Sequence, residues 1–272
     1  VPEGEVRGIV VYVPSLVPEF ESGVVKTLRR RGWAVVSTPG TELVLSQSRV
    51  RTTWWIGLEA DDMAEGSKEA SKEDRIQRLT SRAADVTRNL VGLTAEAYRA
   101  GLRALERDEP RIAGKPVIVA GFSLGAILAP GVVERLATDL GPRLRGVVLV
   151  GGGADIAGIL RDSALTDLRE ALDWGLGTIE EIDDERFEKL RAEYLAKAKL
   201  DPYALAPRVG RFPTLVLHAR GDGIVPARYG ELLWERLGKP ERWSWGYGHQ
   251  LLFWRLDGYA DRIGEWMEER AR

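Results

Sequence analysis

The stretch Val117–Ala126, V-I-V-A-G-F-S-L-G-A, constrains this chain more than any other. Its first residues are apolar and β-branched, and they read as a buried strand. The residues after it, Gly125 to Leu140, read as a helix. Between them stands Ser123, with Gly121 and Gly125 two positions away on either side. A strand that turns so sharply into a helix strains the residue at its tip. Side chains two positions before and after would collide, so both places need glycine. The Ser123 hydroxyl then projects above the sheet, and the Leu124 N–H points into the same space from a helix N-terminus.

The rest of the chain suits a parallel sheet. Gly8–Val13 (G-I-V-V-Y-V), Trp33–Ser37, Lys115–Ala120, Arg145–Val150 and Phe212–His218 are short apolar runs. Amphipathic segments alternate with them: a helix over 18–31 closed by Gly32, a long one from about Lys72 to before Pro110, and a last one from Leu251. In the long helix Ile76, Leu79, Ala83, Val86, Leu90, Leu93 and Ala97 recur at helical steps. In the last, Trp254, Tyr259, Ile263 and Trp266 are available for packing. Strands alternating with helices predict an α/β fold, a mostly parallel sheet covered by helices on both faces. Residues 156–210 carry helical patterns without a strand. They read as an inserted helical lid, which divides the core into 1–155 and 211–272.

A serine hydroxyl is a poor nucleophile until a base takes its proton. The chain has two histidines. His249, in the glycine-punctuated loop W-G-Y-G-H-Q, is the candidate base, because a loop can lean over the serine. His218 ends a strand and reads as a strand-end or supporting residue. An acid must fix the imidazole tautomer. Asp222, in R-G-D-G-I-V-P directly after a strand, is preferred. Asp155, after G-G-G-A, is the competitor, and its other reading is the N-cap of the first lid helix.

The elbow G-F-S-L-G, the loop R-G-D-G-I-V-P and G-Y-G-H, in that chain order, resemble the α/β-hydrolase superfamily. The likeness runs from Gly8 to the end and is nearest to the small lidded esterases and dienelactone-hydrolase-like members. It implies Ser123 as nucleophile, Asp222 as acid and His249 as base. It also implies a second oxyanion donor after the first strand, aligned with the Leu16 N–H, or failing that Ser15, beside the Leu124 N–H. Many relatives have His-Gly-x there, whereas this chain has Pro14-Ser15-Leu16. Relatives also place two strands before the one at Gly8, where this chain has seven residues. A start without Met, V-P-E-G-E, fits a mature form after signal removal or a trimmed chain.

Composition bears on what remains. With no cysteine, thiolate catalysis and disulfides are excluded. A net charge of −2 with both signs scattered offers no nucleic-acid footprint, and no apolar run is long enough to span a membrane. The expectation is a soluble protein, cytoplasmic or exported with its signal removed, using no metal or organic cofactor. Its partner is a small-molecule ester of short to medium acyl chain or aromatic type. Ser15, Phe122, Trp54, Trp174 and Tyr247 are the candidate pocket residues, with Trp245 a further aromatic for the wall. Another hydrolase on the same triad (thioesterase, peptidase or carbon–carbon hydrolase) is the alternative, and a non-catalytic binding protein the remote one.

Overall fold

A computed structural model describes residues 1–37, 72–165 and 183–272. Six strands form one parallel sheet: β1 (Gly8–Val13), β2 (Trp33–Val36), β3 (Val117–Phe122), β4 (Leu144–Val150), β5 (Thr214–Ala219) and β6 (Glu241–Trp245). Their order is β2-β1-β3-β4-β5-β6. The four strands β1, β3, β4 and β5 are buried almost throughout, which is why they read as unbroken apolar runs rather than alternating ones. The edge strand β6 carries Glu241 and Arg242 at its start, charges that discourage further strand pairing. The chain leaves β1 toward β2 on one side and leaves β3 toward β4 on the other. The switch point of this sheet therefore lies between β1 and β3, where ligand crevices form in such folds.

Helices cover both faces. On one side lie the second half of α2 (Lys72–Asp108), α3 (Leu124–Leu140), α6 (Pro202–Val209) and α7 (Ala227–Arg236). Leu90, Val91, Tyr98 and Leu102 of α2 and Leu128, Val132 and Leu136 of α3 meet Val11, Val119 and Val147 of the sheet. On the other side lie α1 (Ser22–Arg30), α8 (His249–Trp254) and α9 (Ala260–Ala271). Val24, Leu28, Leu252, Ile263, Trp266 and Met267 pack there on Val10, Ile118 and Val148. Each fully buried aliphatic side chain of this kind contributes about 1.5–3 kcal/mol.

A third apolar cluster stands apart from the sheet. Ile76, Ala83 and Ala84 from the first half of α2 join Ile156, Ile159 and Leu160 of α4 (Ile156–Asp162) and Phe187, Leu190 and Tyr194 of α5 (Asp184–Lys197). Ile127 and Val225 close it from below. Helix α6, inside the span read from sequence as insertion, instead puts Ala206 and Val209 into the main core beside α3 and α7.

Two helix readings change. The run 18–31 splits into a 3₁₀ turn, Pro18–Glu21, and α1, which Gly32 ends at φ +88°. The last segment is likewise α8, a 3₁₀ turn at Leu256–Tyr259, and α9. Trp254, read as a packing residue, is 66% exposed, because the break after it turns its face to solvent.

Candidate active site

Ser123 sits at the tip between β3 and α3 with φ +50° and ψ −115°. Its N–H donates to the Val150 carbonyl at 2.8 Å, and its own carbonyl accepts from the N–H groups of Ala126 and Ile127. These bonds fix the turn from both sides. The flanking glycines are required by space: a Cβ on Gly125 would lie 2.0 Å from the Val13 carbonyl oxygen, and one on Gly121 2.5 Å from the Gly125 oxygen. Both obstacles are backbone, which cannot swing aside.

His249 begins α8 and faces this tip. Its Nε2 is 2.9 Å from Ser123 Oγ, and its Nδ1 is 2.6 Å from Asp222 Oδ2. With the ring proton on Nδ1, that nitrogen donates to Asp222 and Nε2 accepts from the serine hydroxyl. Phe253, one turn on, lies against the imidazole at 4.9 Å between ring centres. Gly151, at φ +60°, lets the chain pass beside the ring, since a Cβ there would lie 3.2 Å from His249 Cε1.

Asp222 is held by its other oxygen. Oδ1 accepts from the N–H groups of Ile224 and Val225 at 3.0 and 2.9 Å, so Oδ2 alone is left for the histidine. The loops carrying the two residues are laced together: Arg220 N–H donates to the Trp245 carbonyl and Gly221 N–H to that of Tyr247. All three residues are 7–9% exposed, which keeps water from competing for these hydrogen bonds.

Asp155 is bonded elsewhere. It caps α4, accepting from the Gly158 N–H and pairing with Arg191 of α5, and its side chain is wholly buried. Beside it, Asp201 accepts from the N–H groups of Asp155, Ile156 and Tyr203 and from the Tyr194 hydroxyl. Burial pushes the Asp155 carboxyl up to about 6 and that of Asp201 up as well. His218 is buried on β5 against Gly230 of α7, and burial lowers its pKa.

The oxyanion candidates belong to the segments that follow β1 and β3. Val13 of β1 is in register with Gly121 of β3, so the segment Pro14–Leu16 leaves the sheet alongside Ser123. Leu124 is the first residue of α3, where a helix N–H has no partner within the helix. Ser15 is buried and accepts from the Val17 N–H through Oγ, whereas the Leu16 side chain is 48% exposed.

The pocket expectations fare differently. Phe122 is fully buried and packs on Tyr12 in the core, 5.3 Å between ring centres, so it has no surface to offer a ligand. A residue just before the tip faces the α1 side of the sheet, which the sequence did not distinguish from the pocket side. Tyr247 is engaged in an aromatic cluster: its ring stacks on Trp245, its hydroxyl bonds that of Tyr259 at 2.8 Å, and its pKa is raised. It is a packing residue there rather than a free pocket wall. Trp54 and Trp174 lie outside the described residues.

A feature the sequence did not announce is Glu21. Its side chain is completely buried, its carboxyl accepts a short hydrogen bond from the Tyr12 hydroxyl, and Oε1 has no hydrogen-bond partner. Burial raises its pKa and, against that, the Ser15 hydroxyl and N–H and the Tyr12 hydroxyl hold it back. Within P-E-F-E-S, Glu19 and Glu21 look alike in sequence.

Among the described residues no group of three carboxylates or histidines could hold a metal ion. Among them, too, no helix is long and apolar enough to cross a membrane.

Solved structures with a similar backbone span the chain. TT1662 from Thermus thermophilus superposes with a TM-score of 0.55 at 20% identity, covering 100% of this chain and 92% of that one. An esterase from an Arctic intertidal metagenomic library gives 0.54 at 15%, covering 99% and 84%. Pyrococcus horikoshii acylaminoacyl peptidase gives 0.55 at 14%, covering 99% of this chain. The fold is that of the α/β-hydrolases. This chain spans 38% of the peptidase's length. Neither a family model nor a curated protein sequence matches it.

Proposed function

We propose that this α/β-hydrolase-fold protein is a serine hydrolase that cleaves carboxylic esters of short to medium acyl chain, or aromatic ones, through an acyl-enzyme. The observation that carries the reading is the continuous chain from Ser123 Oγ through His249 to Asp222, at 2.9 and 2.6 Å, on a strained turn at the sheet's switch point. His249 Nε2 takes the Ser123 proton as Oγ attacks the ester carbonyl. Asp222 stabilises the imidazolium and keeps the proton on Nδ1. The N–H groups of Leu124 and Leu16 receive the developing oxyanion. His249 then protonates the leaving alcohol, and a water activated by the same histidine releases the acid.

The triad needs no metal or organic cofactor for these steps. Helices α4 and α5, with the first half of α2, form the lid over the site in this reading. A small lidded esterase, of the kind that includes dienelactone-hydrolase-like members, is the branch this arrangement suits.

A second reading is amide cleavage, which the acylaminoacyl peptidase neighbours support by their activity. One experiment separates the two. p-Nitrophenyl acetate, butyrate and octanoate and the p-nitroanilides of N-acylated amino acids are offered to the wild type and to Ser123→Ala. Ester turnover with a chain-length optimum, abolished in the variant, is the expected result. Anilide turnover exceeding ester turnover would replace the esterase reading with the peptidase one. No turnover of either by folded wild type would overturn both.

A further inference from the structure

The segment that carries the Leu16 N–H has little of its own to hold it. Leu16, Val17 and Phe20 are 48%, 45% and 40% exposed, so their side chains do not anchor it in the core. What it turns inward is Ser15 and Glu21, 8% and 0% exposed. The Glu21 carboxyl accepts from the Tyr12 hydroxyl on β1, and hydrogen bonding by the Ser15 hydroxyl and N–H works with Tyr12 against the rise in its pKa. Tyr12 is itself fixed: its ring packs on Phe122, the residue before the serine, and its carbonyl accepts the Tyr98 hydroxyl of α2 at 2.6 Å.

No cation among the described residues pairs with this carboxyl. A buried, unpaired acid is costly, and an apolar residue of similar size would fill the space at less expense. Such costs persist where they fix a functional geometry. The geometry within reach is that of the segment after β1, whose Val13 and Pro14 carbonyls abut Gly125 in the first turn of α3 and which continues into Ser15 and Leu16.

We propose that Glu21 is a positioning residue: through Tyr12 and Ser15 it sets the Leu16 N–H at the place where the oxyanion of the Ser123 adduct forms. The inference rests on the serine-hydrolase reading. Glu21 touches no reacting atom, and its effect falls on transition-state binding rather than on substrate affinity.

The test compares Glu21→Leu, Glu21→Gln and Tyr12→Phe with the wild type and Ser123→Ala. Two quantities are read: kcat and KM on p-nitrophenyl butyrate, and the rate at which an alkyl fluorophosphonate labels Ser123. Labelling needs the oxyanion donors whatever the natural substrate is. Glu21→Leu is expected to lower kcat and the labelling rate together, on the order of 10- to 100-fold, with KM within about threefold. Glu21→Gln, whose amide oxygen still accepts from Tyr12 but whose NH₂ cannot accept from the Ser15 N–H, should recover part of the loss.

A merely structural role would lower the melting temperature and leave kcat at 25 °C unchanged; that result in folded Glu21→Leu overturns the proposal. Should Glu21→Leu not fold, Tyr12→Phe, which removes one hydroxyl, decides in its place: unchanged labelling refutes, a several-fold loss supports. Wild type that takes no label at all removes the hydrolase reading and this inference with it. Labelled wild type with equally labelled Glu21 variants removes this inference alone.

Discussion

Replacing Ser123 by glycine should give a more stable protein than replacing it by alanine. A non-glycine residue at φ +50°, ψ −115° carries strain, and such conformations cost about 1–3 kcal/mol each. Alanine keeps that strain and glycine releases it. Both variants lose the hydrogen bond to His249, so it cancels in the comparison. Against glycine count its freedom in the unfolded chain, about 0.4–1 kcal/mol, and the loss of a largely buried methyl, under about 1 kcal/mol. From the middle of these ranges, Ser123→Gly is more stable than Ser123→Ala by roughly 1 kcal/mol, the reverse of the usual order of the two residues. Urea unfolding of both variants at neutral pH measures it. With a slope of about 3 kcal/mol/M, glycine's midpoint lies about 0.3 M higher. Equal midpoints, or a higher one for alanine, would show that the turn stores no strain, and the nucleophile elbow would lose its energetic basis.

Two further outcomes follow from the same geometry. Asp222→Asn should lower kcat on p-nitrophenyl butyrate on the order of 10⁴-fold. Its oxygen will accept from the Ile224 and Val225 N–H groups, turning its NH₂ toward His249 Nδ1 and forcing the ring proton onto Nε2; more than a tenth of wild-type kcat would contradict this. Asp155 concerns stability. Its pKa is raised from 3.8 to about 6 by burial, which outweighs Arg191, so the folded protein holds a proton that the unfolded chain has released. That contribution is complete below pH 3.8 and is lost as pH rises through about 6, a difference of up to about 3 kcal/mol. Urea midpoints of wild type and Asp155→Asn at pH 4.5 and 7.5 check the sign: the wild type should lose ground to the variant at the higher pH, and parallel behaviour refutes it.

The sheet was legible because four strands are buried on both faces, and burial on both faces leaves a run that only apolar residues can fill. Ser123 was legible for a steric reason, since two glycines at fixed offsets say where backbone must pass close. The positions of Asp222 and His249 could be read from the loops that follow a strand and precede a helix. Packing direction was not legible. Nothing in G-F-S says that Phe122 turns toward α1, or in W-G-Y-G that Tyr247 turns toward Tyr259. Burial of an acid was also invisible: Glu21 enters the interior because Tyr12, nine residues earlier, and Ser15 meet it there. Likewise α6 reads as part of the insertion by pattern and packs on α3 and α7, because periodicity names an apolar face but not the partner it meets.

Helix α2 belongs to two cores at once. Its 37 residues, about 55 Å of rod, put Ile76–Ala84 against α4 and α5 and Leu90–Leu102 against the sheet. Near the midpoint Thr87 ties it to Tyr194 of α5. A single unbroken strut of this kind couples the packing of the α4–α5 cluster to the packing of the sheet. A side-chain change in either half of the rod is therefore felt in both cores, because the helix that carries it has no break between them.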